Sequence, residues 1–260
     1  MNRKGRDQRI FKELIGILKE KKTKGKAPGQ RILEIGTFFL GTPYASGTLE
    51  TQKPEHLIVN LRAYDCVTFV ETVIAFACLV KSGEKSFEAF RSVLRKIRYR
   101  GGRLHGFGSR LHYFSDWIYD NEKKGVVRDV TAEIGGRPLK KVVGVMTANP
   151  DFYPSLKNAT NLRELKSAER AINKRSLCFI PKKILRRLEP LIQDGDLIAV
   201  TTAMRGLDVQ HTGLAVRVRN RIHLLHASRL AGKVVFSRKT LYRYLTQSKM
   251  RTGIMVARMS

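Results

Sequence analysis

The sequence predicts an α+β fold, with helices through its first two-thirds and an antiparallel sheet drawn from its last third. Three observations carry that expectation. An apolar run from Val67 to Leu79 has hydrophobic side chains nearly all round a helical wheel, which marks a buried helix. Short β-rich runs separated by turns (DGDLIAVTTA, QHTGLAVRV, RIHLLHASRL, KVVFSRK and RTGIMVARM) fill the C-terminal third. Between the two lies helical patterning with no internal repeat and no interdomain linker.

Taken in order, MNRKGRDQRIFKELIGILKEKK reads as a basic amphipathic helix with Ile10, Phe11, Leu14, Ile15 and Leu18 on one face. It has no uninterrupted apolar segment and no small-residue cleavage site, so no secretion signal is visible. With the turn KKTKGKAPG it makes an N-terminal unit, residues 1–30. Residues 31–260 then form a single domain with a helical insertion at about 82–187. A second helix carries Ile32, Leu33, Ile35, Phe39 and Leu40 until Gly41-Thr42-Pro43-Tyr44 stops it. Loop follows to residue 62, then the buried helix entered at Cys66. Amphipathic helices are expected at about 84–98, 109–123 and 161–174, and another is expected to start at Pro181, a residue suited to a first helical position. The stretch 126–158 reads as short strands and loops, and a small helix is expected near 240–247.

Composition narrows the function. Fifty Lys and Arg against 22 Asp and Glu give a formal charge of +28. The basic residues are dispersed along the chain, which argues for non-specific attraction to anionic polymers rather than a specific nucleic-acid groove. Three cysteines, none in a C-x-x-C pair, exclude a disulfide scaffold and give a structural zinc site no support. No apolar run is long enough to span a bilayer.

Chemistry concentrates at Cys66. A thiol at the start of a buried helix faces unpaired N–H groups and the positive end of the helix dipole, which favour its anion. Asp65 reads as the cap of that helix, accepting from first-turn N–H groups. A nucleophilic thiol needs a base, and His211 in Gln210-His211-Thr212-Gly213 opens a strand from which its ring can reach one. A third polar group must orient the imidazole. His223 and His226 on the next strand are three apart and point to opposite faces, so only one can serve. In the segment Ser109 to Trp117, helical spacing puts Arg110, Tyr113 and Trp117 on one face and pairs His112 with Asp116. That face suits a sugar or peptide, with the aromatic packing of a core as the alternative. Glu71, inside the buried helix, calls for structural partners.

The ordered set Gly41-Thr42-Pro43-Tyr44, Asp65-Cys66, Gly195-Asp196, His211-Thr212-Gly213 and His226-Ala227-Ser228 resembles the NlpC-type cell-wall hydrolases. GTPYASGTLE, YDCVTFVE, RYRGGRLHGFGSRLHYFSDWI, GLDVQHTG and HLLHAS resemble, within them, the N-acetylmuramoyl-L-alanine amidases. The resemblance runs from about residue 36 to 245. It implies a papain-like fold with the catalytic cysteine opening a helix packed on the sheet. It also implies Cys66 as nucleophile, His211 as base and His226 as its orienting partner. Tyr44 or Tyr64 would contact substrate, with Arg110, His112, Tyr113 and Trp117 as further contacts. Peptidoglycan is the implied substrate and the cell envelope the implied place of action, with the cytoplasm left open by the missing signal. No metal or cofactor is implied. Val67 and Thr68 depart from the small residues usual after the cysteine. A stem-peptide endopeptidase would use the same residues, and a basic polyanion-binding module is the reading from another class.

Overall fold

The structure, a computed structural model, describes residues 3–20, 27–50 and 54–260. Its elements are α1 (Arg3–Glu20), α2 (Pro28–Phe38), α3 (Cys66–Ser82), α4 (Phe87–Arg98), α5 (Phe114–Lys123), β1 (Val127–Asp129), β2 (Arg137–Leu139) and α6 (Val145–Ala148). There follow α7 (Ala159–Asn173), β3 (Leu177–Pro181), α8 (Leu185–Leu188), β4 (Leu197–Thr202), β5 (Val209–Val218), β6 (Arg221–Ser228), β7 (Lys233–Phe236), α9 (Leu241–Thr246) and β8 (Arg251–Met259). The strands pair antiparallel in the order β2-β3-β8-β4-β5-β6-β7, with β1 added to β8. The mixed α+β class expected from the sequence is what the chain adopts.

The sheet separates two apolar layers. On one face Leu197, Ala199, Leu214, Leu225, Ala227 and Met255 pack with α3 and its neighbours. On the other, Ile198, Val200, Ala215, Leu224 and Ile254 pack with Leu241 and Leu245 of α9. Strand alternation produces this division, since neighbouring residues point to opposite faces. In α3 Phe69, Val70, Val73, Ile74 and Phe76 are wholly buried. Each such side chain contributes roughly 1.5–3 kcal/mol of apolar transfer. The N-terminal face of Phe11, Leu14, Ile15 and Leu18 joins that core, Phe11 stacking on Phe76 at 5.5 Å. The basic turn falls largely on residues 21–26, which lie outside the described residues.

Helix α3 begins and ends as its sequence demands. The Asp65 carboxylate accepts from the Thr68 N–H at 2.7 Å, and the Thr68 hydroxyl accepts in return from the Asp65 N–H at 3.0 Å. Thr68, a departure from the small residues of the wider family, thus completes a reciprocal cap. Gly83, at φ 78°, closes the other end in the left-handed conformation.

Two expected helices are corrected. The helix placed at 109–123 starts only at Phe114. Arg110 is extended and bridges Tyr99, and the Leu111 N–H donates to the Arg98 carbonyl, so this segment lies along the end of α4. The helix expected from Pro181 starts later, because Pro181 ends β3 opposite Gly253; the chain turns helical at Leu185–Leu188 and continues as a 3-10 turn over Glu189–Leu191. A Cβ on Gly253 would lie 2.1 Å from the Ile180 carbonyl, and this close approach is what keeps the strand here.

Candidate active site

The site grows from β5, β6 and the tip of α3. The β4–β5 register pairs Val200 with His211 and Thr201 with Val209, leaving Gln210 as an extra residue, a β-bulge that re-aims the next side chain. The two-residue turn Arg219-Asn220, both at positive φ, then fixes the β5–β6 register. Continued down the hairpin, that register sets His226 across from Gly213. Because Gly213 has no Cβ, which would stand 2.9 Å from the His226 Cβ, the His226 ring leans across to His211. His211 Nε2 and His226 Nδ1 are 2.6 Å apart in a hydrogen bond. His223 turns the other way and bonds the Ser237 carbonyl through Nδ1 at 3.0 Å.

Cys66 is tied to the strand that carries His211. The Thr212 hydroxyl donates to the Cys66 carbonyl at 2.7 Å, tying the first residue of α3 to the residue after His211. Tyr44 lies close enough to Cys66 to feel its charge. Its backbone is clamped between Tyr64, through the Ala45 N–H to the Tyr64 carbonyl at 2.9 Å, and the β6–β7 turn, through its own N–H to the Gly232 carbonyl at 2.8 Å. Burial, then the charges of Cys66 and Asp65, raise the Tyr44 phenol, and Arg229 opposes them. Tyr244 of α9 lies 5.9 Å from both imidazole rings.

The electrostatics differ from the sequence expectation. Burial, followed by the Asp65 carboxylate, pushes the Cys66 thiol up to about 11, against lowering by hydrogen bonds from Thr212 and its own backbone. Burial, then His226 and Arg251, push His211 down to about 3, and burial with Arg251 pushes His226 down to about 4. At neutral pH the resting site therefore holds a neutral thiol and two neutral imidazoles.

A family model described as AmiA-like, N-acetylmuramoyl-L-alanine amidase-like, matches residues 34–254. The chain belongs to this amidase-like family. A crystal structure of an N-acetylmuramoyl-L-alanine amidase from Bacteroides uniformis is 37% identical, with 90% of this chain and 99% of that chain covered and a TM-score of 0.85. A Bacteroides fragilis protein described as a putative xylanase is 40% identical over 87% of this chain and 100% of that chain, at a TM-score of 0.82. A Legionella pneumophila protein shares the fold at 21% identity and a TM-score of 0.75, covering 99% of this chain and 97% of its own. No curated protein matched significantly.

Several expected contacts of this amidase-like protein lie away from the Cys66 cluster. Tyr64 is wholly buried between Phe39 and Phe69, which leaves Tyr44 as the tyrosine beside Cys66. Trp117 is also wholly buried, stacked on Phe114 at 5.0 Å, its indole N–H donating to Glu71 at 3.3 Å. The buried Tyr113 hydroxyl donates to Glu169 at 2.6 Å. Arg110 is taken up by Glu50 at 2.8 Å and the Leu49 carbonyl at 3.1 Å. His112 bonds the Phe107 carbonyl at 2.8 Å instead of Asp116, which pairs with Arg100 and Arg175. Arg110, His112, Tyr113 and Trp117 are therefore packed and bonded within the protein rather than presented on an open face.

Other motif residues serve the frame. Asp196 of the Gly195-Asp196 pair receives both ends of the Arg258 guanidinium at 2.8 Å. Glu71 accepts from buried Arg98 at 2.7 Å, the structural role its burial demanded. Sequence reasoning missed Tyr244 and Arg251, which no motif signals. It also passed over the Thr212 hydroxyl, which reaches the Cys66 carbonyl. Among the described residues no group of three potential metal ligands comes together, and no helix is long and apolar enough to cross a membrane.

Proposed function

We propose that this protein is a papain-like cysteine hydrolase of the NlpC type that cuts the amide between the lactyl group of N-acetylmuramic acid and the first alanine of the peptidoglycan stem peptide. The observation that carries the reading is the 2.6 Å His211–His226 bond, formed on the strand that Thr212 latches to Cys66.

The chemistry follows from that bond. With Nε2 of His211 engaged by His226, Nδ1 remains to take a proton. As sulfur attacks the amide carbonyl carbon, the thiol proton passes to His211 Nδ1. The imidazolium then gives this proton to the departing amine nitrogen, and the C–N bond breaks to leave a thioester. His211 next takes a proton from water. Its hydroxide adds to the thioester, the C–S bond breaks, and the thiol is restored with a carboxylate product. Because the resting thiol is neutral, charge on sulfur develops during attack rather than before it. The backbone N–H of Cys66 is the natural donor to the developing oxyanion, and Tyr44, whose phenol keeps its proton, is the adjacent substrate contact.

Hydrolysis of a glycoside, as in the xylanase description of one relative, calls for paired carboxylates. Asp65, next to Cys66, already spends one oxygen on the Thr68 N–H. The charge of +28 supports attraction to phosphate-rich wall polymers and action in the cell envelope.

The test is mass spectrometry of defined muropeptides incubated with wild type and Cys66→Ala. Free stem peptide released by wild type alone supports the reading. Cleavage within the peptide would keep the nucleophile and move the bond, and equal hydrolysis by both proteins would end the proposal.

A further inference from the structure

We propose that Arg251, stacked on Tyr244, is a positioning residue that keeps His226 unprotonated, so that it always accepts from His211. The inference rests on the hydrolase reading for its consequence.

The hydrogen bond between the two imidazoles holds one shared proton. For His211 to act as base at Nδ1, that proton must sit on its Nε2, and His226 Nδ1 must offer a lone pair. A second proton on His226 would remove the lone pair and set two cations side by side when His211 is charged. Something must therefore oppose protonation of His226 in particular.

Arg251 is built for this. Its guanidinium lies 3.8 Å over the Tyr244 ring, and Nη1 donates to the Tyr244 carbonyl. The same ring stands 5.9 Å from His211 and from His226, so Tyr244 links the cation to both imidazoles. Arg258 is neutralised by Asp196 and Arg221 by Glu189, whereas Arg217 on β5 is held by the Glu189 and Ile192 carbonyls. Among the described residues Arg251 has no carboxylate partner in an ion pair. An aromatic face and a carbonyl fix its position and leave its charge uncancelled. Its field accordingly lowers both histidines, and for His226 it is the cause named after burial.

The remaining groups around the pair do not replace it. Cys66 and Asp65 stand at the tip of α3, Tyr244 is the neighbour from α9, and Tyr44 feels the charges of Cys66, Asp65 and Arg229. His223 points to the other face of β6. The same field makes the His211 imidazolium a stronger acid, which favours proton delivery to a poor amine leaving group.

The experiment is NMR titration of the His211 and His226 rings in the full chain, for wild type, Arg251→Gln, Arg251→Lys and Tyr244→Phe. The pH profile of muropeptide hydrolysis is recorded beside it. In Arg251→Gln, His226 is expected to titrate about one unit higher, and the acid limb of kcat to move with it while KM stays. Arg251→Lys and Tyr244→Phe, which keep the charge and the ring, are expected to titrate like wild type. Tyr244→Leu, which frees the guanidinium, is expected to move His226 upward by less, and it serves if Arg251→Gln fails to fold. Unmoved histidines in Arg251→Gln, or in Tyr244→Leu where that serves instead, would overturn the proposal. Shifted histidines in a protein that hydrolyses no muropeptide would instead count against the hydrolase reading.

Discussion

The hydroxyl of Thr212 donates to the carbonyl of Cys66 across 146 residues of sequence, so the thiol's helix and the base's strand meet at adjacent backbone positions. The bond is half-buried, and its removal takes a second donor from a carbonyl that the first turn of α3 also engages. Thr212→Val is expected to lower stability by about 1 kcal/mol and kcat by roughly tenfold, a loss of about 1.4 kcal/mol of transition-state stabilisation. Thr212→Ser should keep most of both. Urea denaturation and muropeptide turnover measure the two effects.

Gly213 gives a second, sharper separation of site from fold. An alanine there would meet the His226 Cβ at 2.9 Å and the Leu225 carbonyl at 3.1 Å. The β5–β6 hairpin is held elsewhere, so Gly213→Ala is expected to cost about 1–3 kcal/mol of stability. Its kcat should fall more than tenfold because the imidazole pair is pushed apart. NMR of the imidazole protons in the folded variant would show the broken bond, and wild-type kcat would contradict the account.

The Glu71–Arg98 pair predicts stability without chemistry. Both side chains are almost wholly buried at 2.7 Å, and Arg98 also donates to the Ile58 carbonyl at 2.6 Å. Glu71→Gln strands a buried cation and is expected to cost about 3–5 kcal/mol. Glu71→Gln combined with Arg98→Met should recover part of this. Turnover per folded molecule should change little in either variant, which thermal denaturation with active-site titration of Cys66 would check.

Acid should weaken the fold through three histidines. His112 and His211 are pushed down to about 3 and His226 to about 4, each chiefly by burial. Unfolded, each binds a proton near pH 6.5. Between that pH and about 4 the unfolded chain therefore holds more protons, so stability rises with pH there and is lost as pH falls. Each histidine contributes a slope approaching ~1.4 kcal/mol per pH unit. His112→Gln, away from the Cys66 cluster, should flatten the acid side of the melting-temperature profile while leaving the profile of kcat in place.

The local structure at Cys66 and His226 was more legible in the sequence than that of residues 109–187. Cys66 behind Asp65 is a local signal, because a cap, a helix start and an apolar run all act within a few residues. His226 separates from His223 by strand alternation alone once a strand is granted. The 109–117 segment misled for a physical reason. Arg110, Tyr113 and Trp117 fit helical spacing, yet the Arg98 carbonyl at the end of α4 takes the Leu111 N–H and holds the backbone extended. Pro181 misled in the same way, since a missing N–H suits a helix start and a strand end equally. The thiol's charge state was out of reach as well. Helix position favours the anion, but burial depends on α3, β5 and α9 closing together.

Strand β8, the last element of the chain, lies inside the sheet between β3 and β4 and supplies Arg251. Chain order and assembly order are therefore at odds. Until Met259 is made, β3 and β4 have no common neighbour and the imidazole pair lacks its cation. A growing chain can form the cap at Asp65 and the β5–β6 hairpin early, from contacts close in sequence. The pairing that places β8 between β3 and β4 waits for the nine residues Arg251–Met259. A chain broken before Arg251 would lose the neighbour that β3 and β4 share without touching Cys66, His211 or His226.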